Sequence, residues 1–182
     1  MRQRDSLSLT LRLRFAMKIL AVLLLILSMP IVFKSAVLIF FPKGRPIFFK
    51  QKRIGLNKKE FTIYKFRTME NDKTTSTGII MRKLGWDEIP QLINIIKGDM
   101  AFVGPRPLTQ FDIKRLKWNT PNHHQRWSVK PGITGPAQLT NVCDATLSIR
   151  KDLLYIENKS LIFDLKMIIR SLVVPVIGKR TK

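Results

Sequence analysis

The chain reads as an α+β protein, mostly helical. It combines an N-terminal re-entrant membrane helix, a small β-hairpin and amphipathic interfacial helices. Three observations predict this. A nearly unbroken apolar run from Ile19 to Phe41 carries Pro30 in its middle and basic residues at both ends. Pro46 to Met69 holds two strand-like segments around a Gly55-Leu56-Asn57 turn. Most of the chain beyond the hairpin repeats apolar residues at helical spacing.

The apolar run has the length of a membrane span, which needs roughly 20 apolar residues. Its charges do not suit a simple span. Arg2, Arg4, Arg12, Arg14 and Lys18 precede it, and Lys43, Arg45, Lys50, Lys52 and Arg53 follow it. Basic residues favour the cytoplasmic side, and here both flanks ask for it. Pro30 lacks an amide hydrogen and kinks or breaks a helix. Lys34 in mid-bilayer would cost about 2.5–3.5 kcal/mol on insertion scales. A helix that turns near Ser28-Met29-Pro30 and returns to the same face satisfies all three points. A secretory signal fits less well, because the apolar part is long and no A-x-A site comes after it. A single-pass anchor stands level on composition alone; only the two-sided charge and Pro30 favour the re-entrant form.

The organisation expected is a basic lead-in at 1–17, the membrane segment at 18–42 and a soluble domain at 43–182. The last has about 140 residues, enough for one core of its own. In the hairpin, Phe48 and Phe49 open the first strand and Phe61–Thr68 forms the second. Residues 70–78 are polar and predict a loop. Glu88 to Lys97 predicts a helix with Leu92, Ile93, Ile95 and Ile96 on its apolar face and Gly98 at its end. Pro107 to Trp118 predicts another, with proline in its first turn. Pro131–Pro136 predicts a loop. Asp152–Ile177 predicts one long amphipathic helix with Phe163, Met167, Ile168 and Leu172 on a stripe. That stripe suits the membrane interface or, equally, an ordinary core-facing helix.

The formal net charge is +21, from 33 Lys and Arg against 12 Asp and Glu. This implies an anionic partner: nucleic acid, anionic lipid or a phosphorylated substrate. The membrane segment makes lipid the cheapest explanation, so charge alone does not argue for nucleic acid. The single cysteine, Cys143, excludes an internal disulfide framework.

Asp87-Glu88 is the central chemical pair. It opens a predicted helix, with Asp87 at the N-cap. Acidic residues there are ordinary helix chemistry. The same helix end also offers amide hydrogens to a phosphate, and two adjacent carboxylates can hold Mg²⁺ beside a diphosphate. Lys65 and Arg67 lie two apart on a predicted strand, about 6.6 Å, on one face; they can straddle a diphosphate or form a solvated edge. Gly104-Pro105-Arg106-Pro107 is a rigid turn before a helix, and its arginine can grip phosphate bidentately; a plain surface turn is the alternative. No dinucleotide fingerprint, P-loop or Ser-His-Asp set is present.

Several motifs in one order carry a more specific resemblance. They are Phe48-Phe49-Lys50-Gln51-Lys52-Arg53-Ile54-Gly55, Tyr64-Lys65-Phe66-Arg67-Thr68-Met69, Arg82 through Leu92, Lys97-Gly98-Asp99-Met100, Val103-Gly104-Pro105-Arg106-Pro107 and Pro131-Gly132-Ile133-Thr134-Gly135, with Asp152, Tyr155, Asn158, Ser160 and Asp164 further on. Together they resemble the bacterial sugar transferase family of small monotopic phosphoglycosyl transferases, from about residue 16 to 174.

The resemblance implies transfer of a sugar-1-phosphate from a UDP-sugar to undecaprenyl phosphate with release of UMP, starting glycan assembly. It implies a position at the cytoplasmic face of the bacterial inner membrane. Asp87 would be the nucleophile and Glu88 its partner, both holding Mg²⁺. Lys65, Arg67, Arg82, Pro105 and Arg106 would bind substrate. A homodimer is left open and nucleic acid is not a partner. The chain departs from the family pattern at four places. The loop between Met69 and Arg82 is short. Met29 stands where a serine precedes the helix-breaking proline. Pro136 replaces a tryptophan. Thr140, Asn141 and Val142 replace an asparagine-glycine-arginine. The lost arginine is the one support for a second reading, a non-catalytic relative that binds polyprenol phosphate or scaffolds an assembly. Net charge alone supports a third, a tethered nucleic-acid binder.

Overall fold

The apolar run folds as two helices, α1 (Arg2–Leu27) and α2 (Met29–Lys43), bent by 56° at Ser28. This is a computed structural model, and it describes residues 2–139 and 144–176. Pro30 has no N–H to give the carbonyl of Ile26, and the Ser28 hydroxyl donates to Leu25 O at 2.9 Å, so the break is locally encoded. Among the described residues no single helix is long and apolar enough to cross a membrane; α1 and α2 meet that requirement of length and composition only together. The backbone of α1 runs through residue 18 unbroken, so the boundary between lead-in and apolar run is one of composition only.

Both helices also dock on the rest of the chain. Ala21 of α1 is fully buried against Phe61, Ile63, Leu92, Ile95 and Met100. Ile39 of α2 packs on Phe66 and Met81. Lys34, awkward in an apolar run, sits 5.8 Å from the Trp86 ring.

The hairpin forms as expected, with β1 (Phe48–Ile54) antiparallel to β2 (Glu60–Phe66). Its turn uses left-handed backbone at Asn57 and Lys58, φ 53° and 59°. The second strand stops at Phe66, short of Thr68, and Arg67 N donates instead to Ile47 O.

The 70–78 loop is a correction. It holds a minimal hairpin, β3 (Met69–Glu70) with β4 (Lys73–Thr74), and then the start of helix α3 (Ser76–Leu84). Thr75 caps α3 by accepting from Gly78 N at 3.0 Å. A short polar cap region hid the helix start.

A 3₁₀ turn, Trp86–Gln91, then leads into α4 (Leu92–Lys97), which ends at Gly98 with φ 88° as expected. Asp87 is not the N-cap. That place belongs to Gly85, whose φ of 72° closes α3 and opens the turn together, and Asp87 stands two residues beyond it.

Downstream, β5 (Ala101–Val103) pairs in parallel with β6 (Gly132–Thr134). The segment expected to be a loop at 131–136 is therefore partly strand. Gly104 and Gly132 permit this closeness: a Cβ on Gly104 would stand 2.4 Å from Lys130 O. The helix predicted over 107–118 is shorter, α5 (Gln110–Arg115). Thr109 and Asp112 form its capping box, so the threonine and not Pro107 sets its start. A 3₁₀ segment, Pro121–Ser128, precedes β6, and α6 (Pro136–Leu139) comes after it.

The long helix expected at 152–177 is two, α7 (Ala145–Glu157) and α8 (Leu161–Val176). Asn158 Nδ2 donates to Leu154 O, and Ser160 Oγ accepts from Phe163 N, ending one helix and starting the next. Met167, Phe163 and Ile168 of the predicted stripe face inward on Val103 and Tyr155. A different stripe, Leu161, Ile162, Leu165 and Ile169, faces out. Side chains of residues 172–182, and residues 140–143 with Cys143 and the departure at Thr140–Val142, lie outside the described residues.

Candidate active site

A cavity of about 500 Å³ opens beside the hairpin. Alternation along β1 aims Phe49, Gln51 and Arg53 into it. Lys65 enters from β2, and Arg67 from just beyond the strand end. Arg82 comes from α3, Asp87 and Glu88 from the 3₁₀ turn, and Arg106 from the turn after β5. Six of the seven residues expected from sequence thus meet around one space. Pro105 does not line it. It is buried behind the wall, where its carbonyl accepts from Gly132 N at 3.0 Å.

Asp87 is 8 % exposed. Lys65 Nζ donates to Glu88 Oε1 at 2.9 Å, both side chains about a fifth exposed. The pair ties β2 to the acidic turn. Arg67 Nη2 donates to Gly44 O at 3.0 Å, anchoring the chain where it leaves α2. Arg82 Nε donates to Thr68 Oγ1 at 2.9 Å, so α3 holds this arginine at the cavity wall.

Arg53, Gln51, Thr68 and Gln138 also line the cavity and were not expected there. Arg53 donates to Gln51 Oε1 and to Pro107 O at 3.1 Å, and stands 3.5 Å from Asp112. Burial lowers its guanidinium pKa first, the like charge of Arg106 lowers it further, and Asp112 opposes both. The period-2 pattern of Phe49, Gln51 and Arg53 was the available signal; it becomes readable once Phe49 and Lys65 are known to be opposite each other in register.

Behind the cavity, Arg126 Nε donates to Asp152 Oδ2 at 3.0 Å in a fully buried ion pair. Burial lowers the Arg126 guanidinium and raises the Asp152 carboxyl, and their mutual attraction opposes both shifts.

Chemically, the cavity sets two carboxylates among five cations. Such a lining binds a polyanion, and a buried carboxylate at its wall can attack an electrophilic phosphorus. The all-oxygen donor set of Asp87 and Glu88 fits a hard cation of the Mg²⁺ type, which takes one or two carboxylates with substrate phosphates. Among the described residues no group of three or more His, Cys, Asp and Glu side chains gathers.

Known proteins similar to this chain are sugar transferases. The family described as bacterial sugar transferase matches residues 10–178. The chain is 42 % identical over 139 residues to the uncharacterized sugar transferase EpsL of Bacillus subtilis, covering 69 % of this chain and 67 % of that protein. It is 33 % identical over 171 residues to the UDP-N-acetylgalactosamine-undecaprenyl-phosphate N-acetylgalactosaminephosphotransferase of Aeromonas hydrophila, covering 84 % of this chain and 40 % of that one. It is also 33 % identical over 171 residues to the UDP-glucose:undecaprenyl-phosphate glucose-1-phosphate transferase of Escherichia coli, covering 82 % and 37 %. The chain therefore spans two thirds of the first relative and well under half of the other two.

Proposed function

The chain belongs to the bacterial sugar transferase family, and from that membership we propose that it transfers a sugar-1-phosphate from a UDP-sugar to undecaprenyl phosphate, releasing UMP. The observation that carries this reading is the convergence of Asp87 and Glu88 with Lys65, Arg67, Arg82, Arg106 and Arg53 on one cavity. A nucleoside diphosphate needs that cationic lining, and phosphoryl transfer needs a nucleophile within it.

In the proposed sequence an Asp87 carboxylate oxygen attacks the β-phosphorus of the UDP-sugar. The bond from that phosphorus to the bridging oxygen breaks, and UMP leaves with the electron pair. The phosphosugar is now carried on Asp87. A phosphate oxygen of undecaprenyl phosphate then attacks the same phosphorus, the Asp87 carboxylate leaves, and a lipid diphosphosugar results. Asp87 and Glu88 would hold Mg²⁺, which supplies charge neutralisation on the diphosphate. Lys65 orients Glu88 through their 2.9 Å contact. Arg82, Arg67 and Arg106 hold phosphate oxygens.

The proposed site of action is the cytoplasmic face of the bacterial inner membrane, with α1 and α2 as a re-entrant pair. Three features support this placement: the bend at Ser28, the basic residues on both flanks, and the outward apolar stripe of α8.

The test is UMP release from a panel of UDP-sugars with undecaprenyl phosphate and Mg²⁺. Asp87→Asn should abolish it in a folded, membrane-bound protein, and Glu88→Gln should cripple it. Without acceptor, the peptide holding Asp87 should gain one sugar-phosphate in mass. Fast UMP release with no adduct would favour direct transfer in a ternary complex. UDP binding without any turnover would favour the non-catalytic relative.

A further inference from the structure

The buried ion pair behind the cavity makes one contact that pairing alone does not require. Arg126 and Asp152 have side chains 2 % and 1 % exposed. The Arg126 guanidinium lies against two indole rings, 5.2 Å from Trp118 and 4.9 Å from Trp127. Its Nη2 donates to the backbone carbonyl of Arg106 at 2.6 Å. Neither Arg126 nor Asp152 lines the cavity, whereas the Arg106 side chain does. The same turn is held by two further hydrogen bonds, both with β6. Gly132 N donates to Pro105 O at 3.0 Å, and Gly104 N donates to Thr134 O at 2.9 Å. The backbone is thus clamped just where the Arg106 side chain departs for the cavity.

Stability by itself is a poor explanation of the pair. A buried ion pair is often no better than apolar residues of the same volume, because desolvation offsets the attraction. Among the described residues Asp152 Oδ1 has no hydrogen-bond partner. What an apolar substitute could not supply is the donor to Arg106 O.

We infer that Arg126, held by Asp152 and the two indoles, is a positioning residue that acts through the Arg106 carbonyl to aim the Arg106 guanidinium at a phosphate in the cavity. The identity of that phosphate, as part of a UDP-sugar, rests on the function proposed above. A planar guanidinium can bond Asp152 and Arg106 O together; a lysine ammonium is a single point on a flexible stem and cannot reproduce the fork.

The experiment uses the full chain in detergent micelles and three variants: Arg126→Lys, Arg126→Met with Asp152→Leu, and Arg106→Ala. Each is also combined with Arg106→Ala where it does not already contain it. Three quantities are measured: the dissociation constant for UDP, kcat/KM for UMP release, and the thermal midpoint. Both Arg126 variants should weaken UDP binding about tenfold and lower kcat/KM by up to about 100-fold, the size expected from misplacing one group by about 1 Å. The thermal midpoint of the apolar double variant should fall by only a few degrees, the effect of leaving the Arg106 carbonyl without its donor. Adding either change to Arg106→Ala should cost nothing further, because its only route to the substrate is gone. Losses that multiply would overturn the inference. So would unchanged UDP binding in both Arg126 variants, or an Arg106→Ala variant that binds and turns over normally. If one Arg126 variant fails to fold, the other decides. A wild type that binds UDP without releasing UMP would sink the catalytic reading, while the UDP-binding cycle would still decide the positioning role.

Discussion

Asn94 joins the hairpin to the acidic turn, and removing its side chain should loosen both. It is fully buried on α4. Its Nδ2 donates to Thr62 O at 2.7 Å, and its Oδ1 accepts from Tyr64 N at 3.2 Å. Among the described residues, both groups lie on the edge of β2 that has no strand partner, since β2 pairs with β1 alone. One carboxamide therefore stands in for a third strand. It does so one residue before Lys65, on the helix that continues from Asp87 and Glu88. Asn94→Leu would leave a part-buried backbone donor and a part-buried backbone acceptor without this partner. Each such group costs about 1–3 kcal/mol, so the two together cost about 2–6 kcal/mol. For a chain of this size each kcal/mol moves the thermal midpoint by roughly 2–4 °C. A mid-range loss of about 4 kcal/mol should lower it by roughly 8–16 °C. The assay is thermal unfolding of the purified protein in micelles, read by intrinsic fluorescence. Asn94→Asp sharpens it. The new carboxylate keeps the acceptor for Tyr64 but faces Thr62 O, so its folded pKa should be raised. Its deficit should then shrink as the pH falls and the carboxyl regains a proton to donate. A midpoint for Asn94→Leu within about 2 °C of wild type would refute the reasoning and show that water satisfies the β2 edge without Asn94.

The remaining predictions concern the site, the topology and pH. Arg106→Lys keeps the charge and loses the fork, so UMP release should fall markedly; full activity in both Arg106→Lys and Arg106→Ala would leave the turn a structural role only. In a Cys143→Ser background, cysteines introduced as Gln3→Cys and Lys59→Cys should be labelled from the same side of the membrane, and labelling from opposite sides would establish a single-pass anchor. Tyr155 Oη lies 2.9 Å from Asp164 Oδ1 and 3.1 Å from Val103 O, with one proton to give. Burial raises the Asp164 carboxyl, against the lowering by the Tyr155 bond and Lys159. A raised folded pKa means a stabilising contribution that is complete below the unfolded value and lost as the pH rises through the folded one. Asp164→Asn should therefore melt higher than wild type at pH 8 and lose that advantage near pH 4; an advantage independent of pH would show that the carboxyl's charge is not what costs stability there.

The sequence by itself determined the parts of this protein whose causes are local. The break at Ser28 arises from a proline without an amide hydrogen, the hairpin from period-2 patterning around a turn, and the end of α4 from a glycine at positive φ. Each depends on residues within a few positions of one another, so a linear reading reaches it. The candidate residues Lys65, Arg67, Arg82, Asp87, Glu88 and Arg106, which line one cavity, could also be picked out from their spacing, their order and a family resemblance.

Tertiary structure decided where long-range packing overrides local preference. Gly104 and Gly132 read as turn residues until their backbones approach closely enough to place β5 beside β6. One amphipathic pattern became α7 and α8 because side-chain caps at Asn158 and Ser160 outweighed continuous helical spacing. The inward stripe of α8 was then set by Val103 and Tyr155, which are distant in sequence. Asp87 moved off the cap because Gly85 had to close one helix and open the next, and that demand is visible only once α3 exists. Asn94 and Arg126 carry no local mark of their roles, and Arg53 only the period-2 pattern of its strand. Their partners lie 32, 26 and 54 residues away, and only folding brings a lone donor to the carbonyl or carboxylate that needs it.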